Sequence, residues 1–90
     1  MTKEQIKIIM AKAEKNYKSA YSPKLCYVIH VKNATFKVQG SLIQDMFFGA
    51  QMIIFSHDNE TLFIPFEHIQ YMELHDCKDW WTNVYEQKNA

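Results

Sequence analysis

Pro65 is the residue that most restricts what this chain can fold into. It sits inside the otherwise strand-like stretch "ETLFIPFEHIQYMEL", residues 60–74. A proline has no N–H to give to a ladder, so residues 61–74 cannot be one central strand. The pattern predicts a break at 65–68 instead. "TLFI" is expected to pair back on the strand before it, "PFEH" to make one tight turn of 3₁₀ type, and "IQYMEL" to leave in a new direction as the last strand. Such a corner belongs to a short-stranded, strongly bent sheet.

The rest of the chain fits that frame. Over residues 1–20, Thr2 and Gln5 have capping-box spacing, and Ile6, Ile9, Met10, Ala13 and Tyr17 recur on one side of a helix. Ser22 precedes Pro23 and is pushed out of the helical region, which closes the segment. Three strands are expected next, in "LCYVIHV", in "ATFKVQGSLIQ" with a bend at Gly40, and in "AQMIIFS" ahead of a turn at "HDNE". The tail, 79–88, reads as a short C-terminal helix with Asp79 as N-cap and Trp81, Val84 and Tyr85 on one side. The predicted fold class is mainly β with flanking helices (α+β), one domain over 1–90, with a five-stranded bent barrel over 25–75.

Composition sets the outer limits. Of the 90 residues, 48% are hydrophobic, enough for one core without disulfides or a structural metal. No apolar run approaches the roughly 18 residues needed to span a bilayer, so the expectation is a cytoplasmic protein with no membrane partner. Two cysteines, Cys26 and Cys77, are too few for a secreted disulfide framework. A bridge between them requires the first and last strands to be neighbours.

The net charge of zero conceals two opposed halves. Residues 1–40 carry eight lysines against Glu4 and Glu14, which leaves +6, and residues 41–90 carry Lys78 and Lys88 against eight carboxylates, which leaves −6. These halves can attract one another within a fold or between subunits. Every basic residue is a lysine, so the guanidinium fork that reads phosphate and guanine bidentately is missing.

A basic amphipathic helix followed by five strands resembles the Sm/LSm and Hfq small barrels, over residues 3 to 74. "VKNATFKVQGSLIQD" is similar to the family's first motif, with Val31-Lys32-Asn33, the bend glycine Gly40, Leu42 and Asp45. "IPFEHIQYM" resembles the second, with Ile64, Ile69 and Met72 at its apolar spacing. The resemblance implies the SH3-like barrel architecture and oligomers joined through open strand edges. It does not bring the RNA site, because the aspartate is followed by Met46-Phe47-Phe48-Gly49 with no asparagine, and Pro65-Phe66-Glu67-His68 stands where the basic pair belongs.

The remaining chemistry points to binding. Cys26, His30, His75 and Cys77 are residue types that zinc takes, but in a strand Cys26 and His30 lie about 13 Å apart, at roughly 3.3 Å per residue. No metal or cofactor is therefore expected. Cys77 with His75 or His68 is the nearest approach to a nucleophilic pair, and neither a nucleophile elbow nor a phosphate-cradling glycine loop accompanies it. The expected role is non-enzymatic: a small regulatory or inhibitor-type protein that self-associates and binds a protein partner. Its contact residues would be Met46, Phe47, Phe48 and Met52, at a loop in "DMFFG" and just beyond, with Trp80 and Trp81. The alternative is an RNA or nucleotide binder, with Lys7, Lys12, Lys15, Lys32 and Lys37 on phosphate and Tyr27 or the loop phenylalanines stacking on bases.

Overall fold

Thr2 starts the first element as its sequence demands. Its hydroxyl accepts the Gln5 N–H at 3.2 Å, while the Gln5 side chain accepts the Thr2 N–H at 2.8 Å, and helix α1 runs from Lys3 to Tyr17. The computed structural model describes residues 1–47, 49–57, 59–77 and 84–87, and at 45, 47, 57 and 84–87 it describes the backbone alone. Helix α1 ends before the Ser22-Pro23 stop. Lys18 takes a left-handed conformation, φ 68°, and returns its N–H to the Glu14 carbonyl at 2.8 Å. Ser22 then makes its own local turn, its hydroxyl accepting the Lys24 N–H at 3.1 Å.

Strands follow in the order β1 (Leu25–Val31), β2 (Ala34–Gln39), β3 (Ile43–Phe47), β4 (Met52–His57), β5 (Glu60–Pro65), β6 (Ile69–Asp76) and β7 (Val84–Gln87). Two 3₁₀ turns interrupt them, at Gly40–Leu42 and at Phe66–His68. The second is the corner expected after Pro65. The first marks the bend at Gly40, and no larger residue fits there, because an added Cβ would lie 2.6 Å from the Ser22 carbonyl oxygen.

Among the described residues the strands form two antiparallel sheets, ordered β6-β1-β2-β7 and β3-β4-β5, in place of the closed five-stranded barrel expected over 25–75. The reason lies at Gly40. The ladder of β2 on β1 ends at the Cys26/Gln39 pair, the 3₁₀ turn intervenes, and the chain resumes pairing with a different neighbour at Ile43/Phe55.

Two further expectations are corrected. "DMFFG" is not wholly a loop, since β3 extends through Phe47 and Met46 lies opposite Ile53. Nor do residues 84–87 belong to a C-terminal helix over 79–88. They form β7, antiparallel to β2 with Phe36 opposite Tyr85, because pairing satisfies the backbone groups on that side of β2. Residues 78–83 and 88–90, with Trp80 and Trp81, lie outside the described residues.

The core joins the helix to both sheets. Ile6 of α1, Tyr27 and Ile29 of β1, Ile53 and Phe55 of β4, and Phe66 of the corner are all fully or almost fully buried. Phe55 meets Phe36 edge to face with ring centres 5.5 Å apart. Each such side chain contributes about 1.5–3 kcal/mol by leaving water.

Candidate functional site

Alternation along β4 and β5 gives the smaller sheet two different faces. Ile53, Phe55 and Ile64 turn inward and are buried, whereas Ile54 pairs with Phe63, and Met52 with Pro65, on the opposite face. Phe63 is 58% exposed there. Strand β5 is also an edge among the described strands, so its outer backbone groups lie beside an exposed aromatic ring.

The larger sheet is open on its β6 side in the same sense. Beside that strand, Leu74 and the outer flank of α1 form a groove of about 410 Å³, with Ile8, Ile9 and Ala11 as apolar lining and Lys12 and Lys15 as its charged groups. Ile8 is 70% exposed. The groove thus sets apolar surface and positive charge next to an edge among the described strands.

The other face of the larger sheet carries a polar cluster that spacing alone did not disclose. Register places His30 of β1 between Tyr71 of β6 and Thr35 of β2, and sets His75 opposite Cys26. Nε2 of His30 lies 2.6 Å from one Glu73 oxygen, and Nε2 of His75 lies 3.1 Å from the other. Tyr71 stacks on the His30 ring, with centres 3.9 Å apart. Nδ1 of His30 is 3.3 Å from the Thr35 hydroxyl, which can donate to it when Nε2–H is given to Glu73. Hydrogen bonds from His30 and His75 hold the Glu73 carboxyl below its ordinary range.

Both thiols lie on this face, in surroundings that favour the protonated form. Burial is the main cause that pushes Cys26 up to about 12, and burial likewise raises Cys77. The His75 ring, two positions before Cys77, is engaged with Glu73 at 3.1 Å. Among the described residues no three His, Cys, Asp or Glu side chains form a group able to hold a metal ion. At the adjoining end of the sheet the Tyr17 hydroxyl donates to Asp76 at 2.6 Å, which raises Tyr17 to about 12 and ties α1 to β6.

The residues singled out from sequence fall in several places. Met46 is buried against the core and offers no contact surface, and Met52 is half-buried on the outer face of β4. The side chains of Phe47, Phe48, Trp80 and Trp81 lie outside the described residues. Tyr27 cannot stack on a base in this fold, because it is fully buried and its hydroxyl donates to the Ala20 carbonyl at 2.7 Å. Lys7, Lys12 and Lys15 are exposed on α1, Lys32 is exposed at the β1–β2 turn, and Lys37 is half-buried on β2. Phe63 and Tyr71, both exposed aromatics, were missed. Strand alternation marks Phe63 as facing away from Leu62 and Ile64, but its exposure depends on what covers that face.

Comparison with known protein families, curated proteins and solved structures finds no match to this chain. Among the described residues no helix is long and apolar enough to cross a membrane.

Proposed function

We propose that this chain is a non-enzymatic binding module that self-associates through its open strand edges and offers an apolar surface to a protein partner. The observation that carries this reading is the edge strand β5, where Phe63 stands exposed beside backbone that no other described strand pairs. The β6 edge is a complementary receiver. Its groove supplies apolar contacts for an aromatic ring and the charges of Lys12 and Lys15 for Glu60 at the start of β5. Pairing β5 of one copy with β6 of the next is head to tail, and it closes into a ring if the rotation allows.

The finer architecture we propose is an Sm-like arrangement left open between its two sheets. Support comes from the order of elements: helix, hairpin, Gly40 bend, meander, Pro65 corner, and a last long strand returning beside the first. A regulatory or inhibitor-type role through occupancy of a partner's surface is consistent with such a module.

Light scattering of the full chain tests self-association, with Phe63→Glu as the control. An oligomer that loses mass on the substitution supports the edge, and a monomer at every concentration overturns it. A second reading, RNA or nucleotide binding, is favoured by an open cleft of about 510 Å³ in which Lys32 and Asn33 face Glu67, His68 and Gln70. Salt-dependent retention on immobilised RNA, weakened by Lys32→Gln, would support it over the first.

A further inference from the structure

The condition that a Cys26–Cys77 bridge places on the fold is met. Strand β6 lies beside β1, with Cys26 opposite His75. Cys77 follows two residues later and keeps the ladder's register beyond the strand, its N–H donating to the Lys24 carbonyl at 2.8 Å. Residues two apart on an extended chain share a face, so Cys77 projects to the side that Cys26 occupies. The register thus sets the two cysteines diagonally across the β1–β6 pair, on one face, although 51 positions separate them in the chain.

Access differs between them. Cys26 is fully buried, and Cys77 is partly exposed at the strand end. That is the arrangement of an outer thiol which meets a reagent and an inner one which resolves the product. Among the described strands β6 is paired on one side only, and its last residue, Asp76, is tied to α1 through the Tyr17 hydroxyl.

We propose that Cys26 and Cys77 form a reversible redox clasp, closed by low-molecular-weight disulfides of the glutathione class and opened by the corresponding thiols. In the first step the Cys77 thiolate attacks one sulfur of the small disulfide. A mixed disulfide forms on Cys77 and one small thiolate leaves. The Cys26 thiolate then attacks the Cys77 sulfur, the Cys26–Cys77 bond forms, and the second small thiolate leaves. Two protons and two electrons pass from the protein to the small disulfide, which becomes two thiols. The clasp joins the start of β1 to the end of β6 covalently. Burial of both thiols makes closing slow near neutral pH, and its rate should rise about tenfold per pH unit while the thiols remain mostly protonated.

The test uses the reduced full chain with oxidised glutathione at about pH 8, followed by intact mass and thiol titration under native conditions. The expected product is a monomeric chain lighter by about 2 Da, with both thiols lost and restored by dithiothreitol. Cys26→Ala should stop at the mixed disulfide, heavier by about 305 Da, and Cys77→Ser should leave the buried thiol unreacted. A persistent glutathione adduct on the unsubstituted chain, a covalent dimer, or two thiols that never react would each overturn the clasp. These outcomes are independent of whether β5 and β6 pair between copies.

Discussion

Nε2 of His30 lies 2.6 Å from Oε2 of Glu73, although 43 positions separate the two residues in the chain. The second Glu73 oxygen meets His75 at 3.1 Å, so one carboxylate joins two imidazoles across adjacent strands.

That relationship makes acid stability depend on Glu73. Its folded pKa is depressed below the ordinary value of 4.5, chiefly by the hydrogen bonds from His30 and His75. The associated stability is present above the unfolded pKa and is lost as pH falls through the folded one. Glu73→Gln should be less stable than the original chain near neutral pH, and the difference should shrink below about pH 4. The effect will be modest, because the side chain is 43% exposed and solvent screens it. Urea midpoints across that pH range check this, and a constant difference would exclude the carboxylate charge as the cause.

Removing one buried hydroxyl should cost more than its size suggests. In Tyr27→Phe the ring still fills the core, but the Ala20 carbonyl loses the donor now 2.7 Å away. The expected loss is about 1–3 kcal/mol in equilibrium denaturation.

Gly40→Ala should be more disruptive than most glycine substitutions. The new Cβ would stand 2.6 Å from the Ser22 carbonyl oxygen and 3.2 Å from its nitrogen, so backbone must move at the bend. We expect a loss of about 1–3 kcal/mol, read from the same denaturation curves. Unchanged stability would mean that the bend relaxes without cost.

The opposite sign is expected at Lys18. Its φ of 68° is one that a side chain disfavours and glycine adopts freely. Lys18→Gly should therefore stabilise the chain by a few tenths of a kcal/mol up to about 1 kcal/mol, after the extra freedom glycine gives the unfolded state is counted. A raised thermal midpoint checks it.

Phe63→Glu should separate association from folding. The ring is mostly in solvent within one copy, so monomer stability should change by no more than about 0.5 kcal/mol, while the mass measured by light scattering falls. Loss of stability as large as loss of association would place the ring in the fold instead of at an edge.

What the sequence determined by itself is local. Thr2 with Gln5 set the start of α1, Gly40 marked the bend, and Pro65 set the corner, because capping, close approach and a missing N–H act over a few neighbouring residues. The span of β1, Leu25–Val31, was legible for the same reason, since its β-branched and apolar run has only one good extended reading.

Only tertiary structure decided which strand each segment would meet. "DMFFG" carries glycine and reads as a loop until Met46 is set opposite Ile53, and residues 84–87 fit a helix until they are offered the side of β2. The same holds for the site. His30, Glu73 and His75 lie together, and Cys77 comes beside Cys26, because β6 returns next to β1 in one register. A slip of β6 by one residue would turn Glu73, His75 and Cys77 to the other face, away from His30 and Cys26. Register is settled by the sum of contacts between distant parts of the chain, which no short stretch of sequence contains.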